Sequence, residues 1–209
     1  MLAAWRGRPL PLPLRLLAIY LAVTFVESWV MIYLSAQGIR NLWMIHLYTP
    51  FEATMFLWMF SRWQVREMAR LTMLLAIPMF LAMWAALTVT AESLADFPVY
   101  GKTMAAILIV AVAAWTLVSR SSRLLMPIGR YTWFWVCLGT LIYFPFVSLL
   151  NPVSRLLLPH SRDLVLAMFS INAVLGIGHN LLFSRAMLCQ QPHLSSGGSS
   201  SPQPSLASS

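Results

Sequence analysis

The sequence predicts an all-α, polytopic integral membrane protein, and three observations carry that prediction. Hydrophobic residues make up 59% of the 209-residue chain and charged residues only 10%, whereas soluble domains carry about a quarter charged residues. Mean hydropathy is +0.74. The apolar residues gather into six runs, each close to the roughly 20 residues that span a bilayer core. Such runs must be helical, because a lone strand leaves its backbone polar groups unsatisfied in hydrocarbon. The alternating pattern of a membrane barrel is absent.

Taken in order, residues 1–15 form a cytoplasmic lead-in in which Pro9, Pro11 and Pro13 alternate with leucine, a pattern that favours extended chain. Arg6, Arg8 and the apolar stretch beyond Arg15 share features with a signal peptide. No small-x-small cleavage site follows, however, so the first run reads as a retained anchor. The six spans are predicted at residues 16–34, 42–61, 71–91, 99–119, 131–150 and 164–184. Short connections favour one antiparallel bundle in which sequence neighbours pack together. Lys102, the single lysine, sits at the start of the fourth run, where its side chain is expected to snorkel to the interface. Residues 186–209 are rich in Ser, Gly and Pro and read as a disordered cytoplasmic tail.

The formal charge of +8 is a topology signal and does not indicate nucleic-acid binding. Arg6, Arg8, Arg15, Arg62, Arg66, Arg70, Arg120, Arg123, Arg130 and Arg185 fall on the side of the termini, against Arg40, Lys102, Arg155 and Arg162 on the other. Positive residues accumulate on the cytoplasmic side, so both termini are expected there. The bias toward Ala, Leu and Arg suggests a bacterial inner membrane. Membrane lipids are the expected surroundings, with a homo-oligomer or a larger membrane complex as a further partner. Cys137 and Cys189 form no CxxC pair and read as apolar fillers.

Polar residues inside the spans are the informative ones. A charged side chain at mid-bilayer costs about 2.5–3.5 kcal/mol on the lenient insertion scale, so such residues usually face the bundle interior and have partners. Of six acidic residues, Glu27 and Glu52 fall inside spans. Tyr20, Thr24 and Glu27 are spaced i, i+4, i+7 on helix 1, and Asn41, Tyr48 and Glu52 share a face of helix 2. Glu27 and Glu52 are expected at comparable depth on the facing sides of consecutive helices, where two carboxylates cannot both be charged cheaply. His46 lies about 9 Å further out than Glu52 and about 120° around the helix. On helix 6, Asn172, Gly176 and His179 form a third polar seam, thinned by Gly176 and Gly178. Glu92 and His160 belong to loops and read as solvated.

These residues define a candidate proton- or ligand-binding set: Glu27, Glu52, His46, Tyr48, Tyr20, Asn172 and His179. No cofactor or metal is expected, since His46 and His179 are separated by about 15 Å in depth if their helices stand upright. GxSxG and HExxH motifs are lacking, as is a lysine in the last span, so serine-protease, zinc-protease and retinal chemistries find no support. The sequence favours a membrane-embedded site that binds or translocates a proton, cation or small ligand. A non-catalytic subunit, sensor or assembly factor is the alternative. An acid–base enzyme acting on lipid is weaker, because its groups would have to gather from different depths.

Overall fold

In the computed structural model the described residues are 10–92, 98–122, 126–157 and 160–189, together with the backbone but not the side chain of Arg162. Among them are six α-helices: α1 Leu12–Ala36, α2 Leu42–Trp63, α3 Glu67–Thr90, α4 Tyr100–Ser121, α5 Thr132–Leu157 and α6 Arg162–Leu188. A single 3-10 turn at Ile128–Arg130 precedes α5. Arg6, Arg8, Asp96, Arg123 and the serine-rich tail from residue 190 lie outside the described residues. Five helices, α1 and α3–α6, are long and apolar enough to cross a membrane. α2, interrupted by His46, Pro50 and Glu52, is not among them.

The helices overrun the apolar stretches. α1 starts at Leu12 instead of emerging from a fully extended lead-in: Pro11 is its N-cap and Pro13 occupies the first turn, where a missing N–H costs nothing. α5 continues past Pro145 and Pro152 to Leu157, seven residues beyond the predicted end of its span. Hydropathy locates what lipid tolerates. Glu67 at the start of α3 and Arg185 near the end of α6 are polar yet good helix formers, and their charges suit those helix ends.

α2 is the central helix, packed against α1, α3 and α4. This placement explains its composition: His46, Thr49, Glu52, Ala53, Phe56, Leu57, Phe60 and Trp63 are all buried in protein, so the helix has little need to be soluble in lipid. α4 then packs on α5 and α5 on α6, with α1 and α6 meeting more lightly. α3 is peripheral, burying only Met73 and Phe80. The neighbour rule expected from short loops therefore holds for most pairs, but α2 and α4, which run parallel, pack more extensively than α3 and α4.

Contacts along the α2–α4 seam fix its register. Glu52 meets Lys102, and Gln64 Nε2 donates to Thr116 Oγ1 at 2.8 Å; these pairs are separated by 50 and 52 residues. Arg120 Nε donates to the Trp63 carbonyl at 2.6 Å. The first turn of α4 is consequently level with the middle of α2, and α4 extends beyond α2 at the end where α2 joins α3.

The core is aromatic. Phe56 is the hub, with ring centroids 4.9 Å from Tyr20, 5.2 Å from Phe144, 6.0 Å from Phe60 and 6.0 Å from Phe183. The Tyr20 and Phe144 contacts are edge-to-face, a geometry that adds stability beyond the area it buries. α5 and α6 approach through Gly139: a Cβ there would sit 3.0 Å from Phe183 Cε1 and 3.4 Å from Leu182 Cβ. Gly176 has only Tyr143 at 3.7 Å, and Gly178 has nothing within 4 Å. The glycine that permits close packing is thus on α5, not in the Gly176/Gly178 pair.

Because Phe183 is fully buried among Phe56, Tyr20 and His179, it has no room to yield. Gly139→Val is expected to destabilise the fold by about 1–3 kcal/mol through overpacking, while Gly178→Ala leaves it unchanged or slightly more stable. Thermal unfolding of the detergent-solubilised protein, followed by helical circular dichroism, compares the two.

Candidate functional site

Glu52 and Lys102 form a buried ion pair at the α2–α4 seam. Lys102 Nζ donates to Glu52 Oε2, with the side chains 12% and 4% exposed. Lys102 does not snorkel to an interface, as its position at a helix start suggested. Its helix begins level with the middle of α2, so the shortest route for the ammonium is into the bundle, where a carboxylate meets it. Mutual neutralisation is what makes either charge tolerable at this depth.

Tyrosines surround the pair. Tyr20 Oη, from α1, donates to Glu52 Oε1 at 3.3 Å, so both carboxyl oxygens accept a hydrogen bond. Thr24 Oγ1 donates its one proton to the Tyr20 carbonyl at 2.8 Å. Its 2.5 Å contact with Tyr48 Oη must therefore use the tyrosine proton, with Thr24 as acceptor. The Tyr48 ring also lies beneath the ammonium, with Lys102 Nζ 5.4 Å from its centroid, a cation–π geometry. Tyr20, Tyr48 and Glu52 thus come together, and Lys102 joins them from an element where no site residue was expected.

Glu27 occupies a different position. It is half-buried on α1, in a groove between α1 and α2 that Tyr48 also lines. It is within electrostatic range of both Lys102 and Glu52, yet no hydrogen bond or ion pair among the described residues engages its carboxyl. Lys102 takes the place beside Glu52, within electrostatic range of Glu27 as well. Asn41, the third member of the α2 stripe, donates from Nδ2 to the Met31 carbonyl at 2.9 Å and ties α1 to α2.

His46 is fully buried and faces Glu92, its Nδ1 3.7 Å from Glu92 Oε2. Glu92 is not a solvated loop acid. Its side chain is 2% exposed, and its Oε1 accepts from the backbone N–H of Tyr100 and, at 3.1 Å, of Gly101. Those groups belong to the first turn of α4, which has no intrahelical partners for its N–H groups. A carboxylate there satisfies them and complements the positive end of the helix dipole. Gly101 permits the approach, since a Cβ would sit 3.2 Å from Trp84 Cδ1 and 3.3 Å from Glu92 Oε2.

The helix 6 residues form a separate cluster against α5. Tyr143 links them: Asn172 lies beside its hydroxyl, its ring edge touches Gly176, and its centroid is 4.8 Å from the His179 ring. His179 is 3% exposed and lodged against Phe183 at 3.9 Å and Phe144 at 5.9 Å. Neither of its nitrogens makes a hydrogen bond of normal geometry among the described residues, and Asn172 Oδ1 and the fully buried Thr140 Oγ1 share that condition. Among the described residues no three His, Cys, Asp or Glu side chains gather in a way that could hold a metal.

Comparison with protein-family models, curated proteins and solved structures finds no match for this chain. The candidate site therefore rests on its own geometry: a neutralised carboxylate–ammonium pair, two phenol hydroxyls and a second carboxyl at the edge of the same cluster. Such an arrangement can hold, release and relay protons.

Removing one partner of a buried pair strands the other charge, at a cost of about 3–5 kcal/mol, while replacing both with apolar residues of similar size is often neutral or stabilising. Glu52→Leu and Lys102→Met are each expected to destabilise the protein strongly, and the double variant to recover most of the loss. Apparent melting temperatures of the four proteins in one detergent close this cycle; equal, additive losses would show that the two side chains do not act as a pair.

Proposed function

We propose that this multi-pass membrane protein binds and exchanges a proton, or a small cation in its place, at Glu52 within the bilayer. The observation that carries the reading is the Glu52–Lys102 pair set among tyrosine hydroxyls. A buried carboxylate needs one positive partner. Lys102 is a tethered cation that fills this role, and an arriving proton or cation competes with it for the same oxygen. Tyr48 stands between this pair and Glu27, sharing the Glu27 groove on one side and the Lys102 ammonium on the other. The functional form comprises six spans, with α2 shielded by its neighbours, and both termini on the cytoplasmic face of a bacterial inner membrane. A homo-oligomer or larger complex completes it.

One observation favours a second reading, a non-catalytic subunit or sensor. Tyr20, which bonds Glu52, is itself buried against the Phe56 ring. In that case the pair sets helix register alone.

Purified protein in proteoliposomes, driven by a potassium diffusion potential and read by an entrapped pH dye, separates the two. Proton exchange is expected above that of protein-free vesicles and is expected to fall about tenfold or more in Glu52→Gln, the size of loss that follows from removing a hydrogen bond to a charged group. Unchanged flux in Glu52→Gln overturns the reading. Flux equal to protein-free vesicles overturns it in favour of the second.

A further inference from the structure

The groove between α1 and α2 is a site of its own. α1 buries Leu14, Leu16, Leu17 and Tyr20, while beyond Tyr20 its outward side chains are open, with Phe25 64%, Val26 59% and Trp29 59% exposed. The two helices leave a concavity of about 320 Å³ along this stretch, a volume at the lower end of the range for small-molecule sites. Its walls are apolar, including Val26, Leu47, Phe51 and Trp43. Val26 and Leu47 are 59% and 57% exposed, so in a bilayer the groove opens sideways, onto hydrocarbon. Two polar groups belong to it: the Glu27 carboxyl, which nothing among the described residues hydrogen-bonds, and Tyr48.

We infer that this groove binds a lipophilic primary amine, its ammonium on the Glu27 carboxyl and its hydrocarbon chain along Val26, Leu47 and Phe51. The argument is one of complementarity. A carboxyl in hydrocarbon must be neutralised or paired, and Lys102 is already engaged by Glu52. A membrane-dissolved amine reaches the groove uncharged and takes the proton of the carboxylic acid on arrival: the O–H bond breaks, an N–H bond forms, and an ammonium–carboxylate pair results without any net charge having crossed hydrocarbon. A charge-assisted hydrogen bond of this kind is among the strongest that two small groups make. An alcohol of the same chain length offers the apolar contacts but not the pair. The inference rests on the groove and Glu27 and does not depend on proton exchange at Glu52.

Trp43 in the groove wall provides the readout. In phosphatidylcholine vesicles, a terminally brominated long-chain primary amine is titrated against the protein, and the Trp43 contribution to fluorescence is taken as the difference from Trp43→Phe. Saturable quenching of that component is expected. The matching brominated alcohol should bind about tenfold or more weakly, the loss expected for a charged hydrogen bond, and Glu27→Gln should reduce amine binding to the level of the alcohol. Val26→Phe, which retains the carboxyl and fills the groove, should abolish binding of both. Equal quenching by amine and alcohol, amine binding undiminished in Glu27→Gln, or quenching that does not saturate would each overturn the assignment. Amine binding in a wild-type protein that moves no protons would sink the proton-exchange reading and leave this one standing.

Discussion

The ion pair between Glu52 and Lys102 is the constraint on which the arrangement of this bundle depends. A carboxylate at the middle of α2 must meet a positive charge, and the only lysine of the chain stands three residues into α4. Joining them places the start of α4 level with the middle of α2 and sets the two helices side by side in parallel, with α3 displaced to the periphery. The same register carries the lower contacts, from Gln64 to Thr116 and from Arg120 to the Trp63 carbonyl. The first N–H groups of α4 need an acceptor, and Glu92 supplies it. One electrostatic requirement therefore propagates into helix order, register and the burial of a second acid.

The polar groups divide into two systems that share the aromatic core between them. On the α1/α2/α4 side, hydroxyls and charges around Glu52 bond one another: Tyr20 and Lys102 on Glu52, Tyr48 on Thr24. On the α5/α6 side, His179 and Thr140 are buried with polar atoms unbonded among the described residues, held by ring packing against Tyr143, Phe144 and Phe183. The first system has the chemistry of proton exchange. The second is organised by shape, and Gly139 is its closest point of approach.

Much of this was legible in the string. Six helices, five of them long and apolar enough to cross a membrane, follow from the clustering of apolar residues, although their ends do not, because Pro13, Glu67 and Arg185 are acceptable in a helix and unwelcome in lipid. The intrahelical stripes held as well: Tyr20 with Thr24, Tyr48 with Glu52, and Asn172 with Gly176 and His179 lie on common faces because 3.6-residue periodicity is local. What spacing cannot report is rotation and depth between helices. For that reason the pairing of Glu52 with Lys102, and the groove that Glu27 lines, were not legible in the string. For the same reason Glu92 read as a solvated loop acid, when its carboxyl caps the first turn of α4.

The sequence by itself determined the solvent this protein is built for and which face of each helix is polar, since both follow from side-chain chemistry read at helical spacing. Only the tertiary structure decided which polar face meets which. That choice depends on the relative heights of helices far apart in the chain, and the height is set by where a lysine fifty residues away can reach a buried carboxylate.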